Sequence, residues 1–93
     1  MIRRGPAIGK YGADLKELPP TEMDHVIDYA IIMGHRVRFD YDGSPWVKRG
    51  EYTIVPESFT KGADGSVEGE DVRTGTRKRF LRARIKAIGV LES

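Results

Sequence analysis

The hydrophobic period of this chain changes once, at Gly34, and that change limits what it can fold into. Before it, Met23, Val26, Ile27, Ala30 and Ile31 recur at helical spacing; after it, Val37, Phe39 and Tyr41 alternate with Arg36, Arg38 and Asp40. The first pattern lays an apolar stripe along a helix, and the second gives a strand one apolar face. The spacing predicts a helix over 21–33, with Thr21 as its N-cap, Asp24 approximating a capping box and Gly34 ending it in the left-handed region. "DGSP" turns the chain into a second strand, about 46–55, in which Gly50 suits a bulge and Pro56 a stop. After a short segment ending at Phe59, "KGADGS" leads into a polar strand over 66–71, "RTGT" turns it into a basic strand, and "IKAIGVL" supplies the last. One helix and then about five short strands predict a mainly β domain closing into a small barrel, with Val37, Phe39, Ile54, Phe80, Ile85 and Ile88 in its core.

A chain of 93 residues has room for one such core. Residues 1–19 hold three glycines and two prolines without a sustained period, so they read as an extended or partly disordered arm, made basic by Arg3, Arg4 and Lys10; the domain proper is 20–93. Cysteine is absent, which excludes disulfides and thiolate metal sites. The two histidines, His25 and His35, have no metal-ligand spacing and read as surface residues. Asp40 and Asp42 lack a partner base, and Gly5, Gly9 and Gly12 lack the strand and helix of a phosphate loop, so neither an enzyme nor a cofactor is expected. The longest apolar run is Ala30 to Met33, and the N-terminus has no signal-peptide core; the expectation is a cytoplasmic protein with no membrane partner.

The net charge of +2 hides an uneven distribution. Residues 72–93 carry Arg73, Arg77, Lys78, Arg79, Arg82, Arg84 and Lys86 against Glu92, whereas 57–71 carry Glu57, Asp64, Glu68, Glu70 and Asp71 against Lys61. A hairpin would lay these runs side by side. Cross-strand ion pairs would then absorb part of the basic run, each contributing about 0.2–1 kcal/mol, and leave the rest to attract an anion. The concentrated stretch is "RKRFLRARIK", residues 77–86, six of ten basic. Strand alternation puts Lys78, Phe80, Arg82 and Arg84 on one side and Arg77, Arg79, Leu81 and Ala83 on the other. Guanidinium forks suit phosphate, and Tyr41, Trp46 and Tyr52 are candidates for stacking bases, although Tyr41 fits the core better and Trp46 is the better stacking candidate.

Taken in order, these segments resemble the WYL domain, a small Sm-like or SH3-like barrel found mostly in bacterial transcription regulators. The resemblance rests on Ala30-Ile31; on Val37-Arg38-Phe39-Asp40-Tyr41; on Pro56 and Phe59; and on Asp71, Gly75, Phe80, Arg84 and Ile85 at the family's spacing, across residues 25–91. The naming triplet falls on Gly65-Ser66-Val67, the family's arginine before the phenylalanine is Lys78, and its basic residue before the proline falls on Tyr52, with Arg49 nearby. The resemblance implies a five-stranded barrel with a leading helix that binds single-stranded nucleic acid or a nucleotide in transcription regulation, here as a stand-alone sensor or accessory piece. Candidate binding residues are Arg77, Lys78, Arg79, Arg84, Arg49, Trp46 and Tyr41. A second reading is a protein-interaction domain that recruits a regulator or forms a homodimer through the barrel edge or the apolar helix.

Overall fold

Gly34 is the hinge between the two regimes in the fold as well. The computed structural model describes residues 12–62 and 64–92. Helix α1, Pro20–Met33, ends with Gly34 at φ 71°, and the amides beyond it close onto Ile31 and Ala30. Its start differs from expectation: Thr21 caps nothing. The N-cap is Pro19, whose carbonyl accepts from the Met23 amide at 2.9 Å, and Pro20 opens the first turn, where its missing N–H costs no helical bond. Asp24 is engaged elsewhere, with Arg82.

Strands β1 (Arg36–Tyr41), β2 (Gly50–Phe59), β3 (Ser66–Asp71), β4 (Thr76–Leu81) and β5 (Ile85–Leu91) form one antiparallel sheet in the order β4-β3-β2-β1-β5. A single 3-10 turn, Arg82–Arg84, links β4 to β5. β2 runs through Pro56 instead of stopping there. The ladder to β3 shifts register between Pro56 and Ser58, and such an irregularity is where a residue without an N–H fits a strand. Gly50 is no bulge; it pairs with Tyr41 at the start of β2.

Five strands of this order do not close by pairing: β4 and β5 are the two ends of the ladder among the described residues. The sheet is nevertheless strongly rolled. In a flat sheet β1 and β4 would lie three strand spacings apart, about 14 Å. The Phe39 ring of β1 and the Phe80 ring of β4 instead meet edge to face at 4.9 Å, and Tyr41 meets Phe80 at 5.0 Å. All six expected core residues are buried, together with Tyr41, Val47, Val67 and Val90. α1 lays Met23, Val26, Ile27 and Ala30 mainly against β2. His35, expected at the surface, is buried with its ring 5.6 Å from that of Tyr29. It starts the apolar face that continues through Val37 and Phe39, so its position follows the strand period and not its polarity.

The expected arm divides. Residues 1–11 lie outside the described part of the chain, whereas Gly12 to Lys16 runs along the outer edge of β5. The Lys16 and Ile88 amides and carbonyls exchange bonds of 3.1 and 3.0 Å, and the Val90 amide donates to Gly12 at 2.7 Å. Gly89 permits this approach, because a Cβ there would stand 2.4 Å from the Ala13 carbonyl oxygen. Leu18 continues onto the core, and the docked segment covers what would otherwise be an open strand edge. No helix among the described residues is long and apolar enough to cross a membrane.

Candidate nucleic-acid or nucleotide site at the β1–β2 loop

The stretch 77–86 is not one basic surface; its residues separate by what each side chain meets. On β4, Arg77 lies between two carboxylates, Glu57 and Glu68, the latter at 3.1 Å. Glu57 first and Glu68 second raise the guanidinium further above its ordinary value. Lys78 points inward and binds Asp71 Oδ2 at 2.9 Å and the hydroxyls of Thr74 and Thr76 at 3.1 Å each. Asp71 is 1% exposed. Burial pushes its carboxyl up, but the Lys78 ammonium and the Arg73 amide, which donates to Oδ1 at 3.0 Å, outweigh burial and hold it below the usual aspartate value.

Arg82, expected to continue the inward face of β4, lies in the 3-10 turn with its side chain 10% exposed. Its Nε stands 2.8 Å from Asp24 Oδ1 without hydrogen-bond geometry, and Nη2 donates to Oδ2 at 3.5 Å. This ion pair ties α1 to the end of β4. Sequence reasoning missed it, because Asp24 also fits a helix-start pattern. Three of the six basic residues are thus neutralised by carboxylates.

Arg79, Arg84 and Lys86 have no carboxylate partner among the described residues. Arg79 and Arg84 both engage the loop between β1 and β2. The Arg79 guanidinium lies over the Trp46 ring, 5.7 Å from its centroid, and the Trp46 indole N–H donates to the Arg79 carbonyl at 3.0 Å. Arg84 Nη1 donates to the Gly43 carbonyl at 3.0 Å, and its own carbonyl accepts from the Asp42 amide at 2.8 Å. Within the loop, the Ser44 amide donates to the Val47 carbonyl at 2.9 Å and the Val47 amide to the Ser44 hydroxyl at 3.2 Å, which closes a tight turn around Pro45 and Trp46. Arg49 is exposed and stands behind Gly43, whose hypothetical Cβ would lie 3.3 Å from the Arg49 amide nitrogen. The loop therefore carries Trp46 and Arg49 and is contacted by Arg79 at Trp46 and by Arg84 at Gly43.

Of the expected stacking residues, Trp46 is 54% exposed. Tyr41 is corrected: it is fully buried, packs on Phe39 and Phe80, and its hydroxyl accepts from the Leu81 amide at 2.9 Å, so it presents no face to a ligand. Tyr52 is half-buried, with its hydroxyl donating to the Lys48 carbonyl at 2.6 Å. The loop thus offers one exposed π face and arginines without acidic partners among the described residues. No three His, Cys, Asp or Glu residues among those described cluster as metal ligands. A depression of about 310 Å³ lined by Arg36, Val90 and the docked Gly12 and Ala13 lies at the opposite end of β1. No protein-family model and no curated protein matches the chain.

Proposed function

We propose that this chain is a WYL-like module, built on a rolled sheet of Sm-like or SH3-like type, that binds single-stranded nucleic acid or a nucleotide at the β1–β2 loop in transcription regulation. The observation that carries the reading is the division of the basic stretch: Arg79 and Arg84, without carboxylate partners among the described residues, each contact the loop that exposes Trp46. Guanidinium groups there attract phosphate, and an indole face accepts a base. The residues that carry the resemblance have these roles in the fold. Asp71 and Gly75 build the β3–β4 turn, Phe80 and Ile85 enter the core, and Arg84 holds Gly43.

The test is a fluorescence-anisotropy titration of a labelled single-stranded oligonucleotide at several salt concentrations. Affinity should fall with salt, the logarithmic slope being about −0.7 for each phosphate neutralised. Absence of binding at low salt would remove the reading. It would favour the second one, a protein-interaction or dimerisation module, whose support is the exposed pair Ile32 (80%) and Met33 (52%) at the end of α1.

A further inference from the structure

We infer that the loop site takes one nucleotide unit carrying one or two phosphates, and not a run of single strand. The inference rests on the binding reading above and narrows it. Non-specific strand binding needs successive aromatic platforms and a cationic track alongside them. Among the described residues no second aromatic platform extends beyond the loop. Among the described residues Trp46 is the sole exposed aromatic: Tyr41 and Phe80 are in the core, and Tyr29, Tyr52 and Phe59 are partly buried against it. The indole is also held still, its N–H on the Arg79 carbonyl and one side under the Arg79 guanidinium. That leaves a single face for a single base.

The cations are flanked by acids. Among the described residues Lys48 and Arg49 on the loop, Arg79 and Arg84 in contact with it, and Lys86 just beyond Arg84 are exposed without a carboxylate partner, and carboxylates stand on two sides of them. Along the sheet, Glu68 stands opposite Arg79 in the ladder, and Arg77 is outnumbered by Glu57 and Glu68. Along the loop, Asp42 precedes Gly43, and Asp40 faces Glu51 across the β1–β2 pair. A longer strand would carry its next phosphates past these carboxylates and gain less from each than at the loop.

The chain's one tryptophan makes its intrinsic fluorescence a direct reporter. Wild-type protein is titrated with adenosine monophosphate, adenosine diphosphate, inorganic phosphate, and oligo-deoxyadenylates of two, four and ten residues. We expect quenching by both nucleotides, a per-site affinity that levels off by the dinucleotide, and an affinity for each that falls as salt rises. Calorimetry on Trp46→Leu should show nucleotide affinity reduced about 5- to 150-fold, with a native circular dichroism spectrum certifying the variant as folded. A per-site affinity rising tenfold or more between the dinucleotide and the decamer would overturn the inference and leave the nucleic-acid reading standing. Phosphate competing as well as the monophosphate would overturn the base slot. No quenching or binding of any probe at low salt would overturn the binding reading itself.

Discussion

Replacing Asp71 with asparagine removes one charge and almost no volume, so it isolates what the Asp71–Lys78 pair contributes. The Oδ1 acceptor for the Arg73 amide is retained, and Lys78 keeps Thr74 and Thr76 as acceptors. What changes is that an ammonium whose side chain is 26% exposed loses the carboxylate of a side chain that is 2% exposed. Breaking a fully buried pair costs about 3–5 kcal/mol, and an exposed pair contributes about 0–1 kcal/mol. This pair lies between those limits, so the expected loss at neutral pH is about 1.5–3 kcal/mol, measured by urea unfolding followed by circular dichroism. The sign of the pH dependence is set by a folded-state pKa below the ordinary 3.8. Stability from the carboxylate is fully present above that value and is lost as pH falls through the lower folded value, so wild type and Asp71→Asn should converge in strong acid. Adding Lys78→Met to both should cancel most of the difference at neutral pH. A loss under about 0.5 kcal/mol at neutral pH, or a difference that persists unchanged in acid, would refute the argument that this pair anchors the β3–β4 hairpin.

Phe80→Ala should cost about 3–5 kcal/mol in the same assay, since Phe80 is fully buried against Phe39, Tyr41 and Tyr52; a cost below about 1.5 would mean that the rolled sheet does not depend on this ring cluster. Gly89→Val should displace the Gly12 to Lys16 segment. Hydrogen exchange should then show lost protection at the Ile88 and Val90 amides with cooperative unfolding retained, whereas unchanged protection would contradict the docking.

The elements written in periodicity were legible in the chain. The apolar stripe of α1, the alternation of β1 and the extent of β5 follow from side chains that have one place to go when the core forms. The end of β2 was not legible, because a proline reads as a stop until a register shift in the partner strand accommodates it. The docked segment was hidden for a related reason: Gly89 weakens a strand in isolation and becomes meaningful only when another backbone crosses it. Closure was over-read from the number of strands, whereas the ladder stops at β4 and β5 and the rolling shows in the ring contacts.

The site divides similarly. Composition predicted that acidic and basic strands would share charge, but which arginines remain depends on register and on side-chain reach. Arg79 stands opposite Glu68, yet it is Arg77 that takes that carboxylate diagonally. Arg79 turns to Trp46 instead, a contact between β4 and a loop 33 residues earlier that no local pattern encodes.

The measurement that bears most directly on this division compares two double variants, Arg79→Gln with Arg84→Gln and Arg77→Gln with Lys78→Gln, in binding of a short oligonucleotide against salt. Each removes two positive charges from the same stretch, so net charge is matched. The first pair should weaken binding and flatten the logarithmic salt slope by about 1.4, with unfolding little changed; the second should leave the slope near wild type and lower stability, because its partners are carboxylates. Equal losses of affinity and slope from the two pairs would contradict the account, making the whole strand a diffuse basic surface and the carboxylate pairs irrelevant to what it binds.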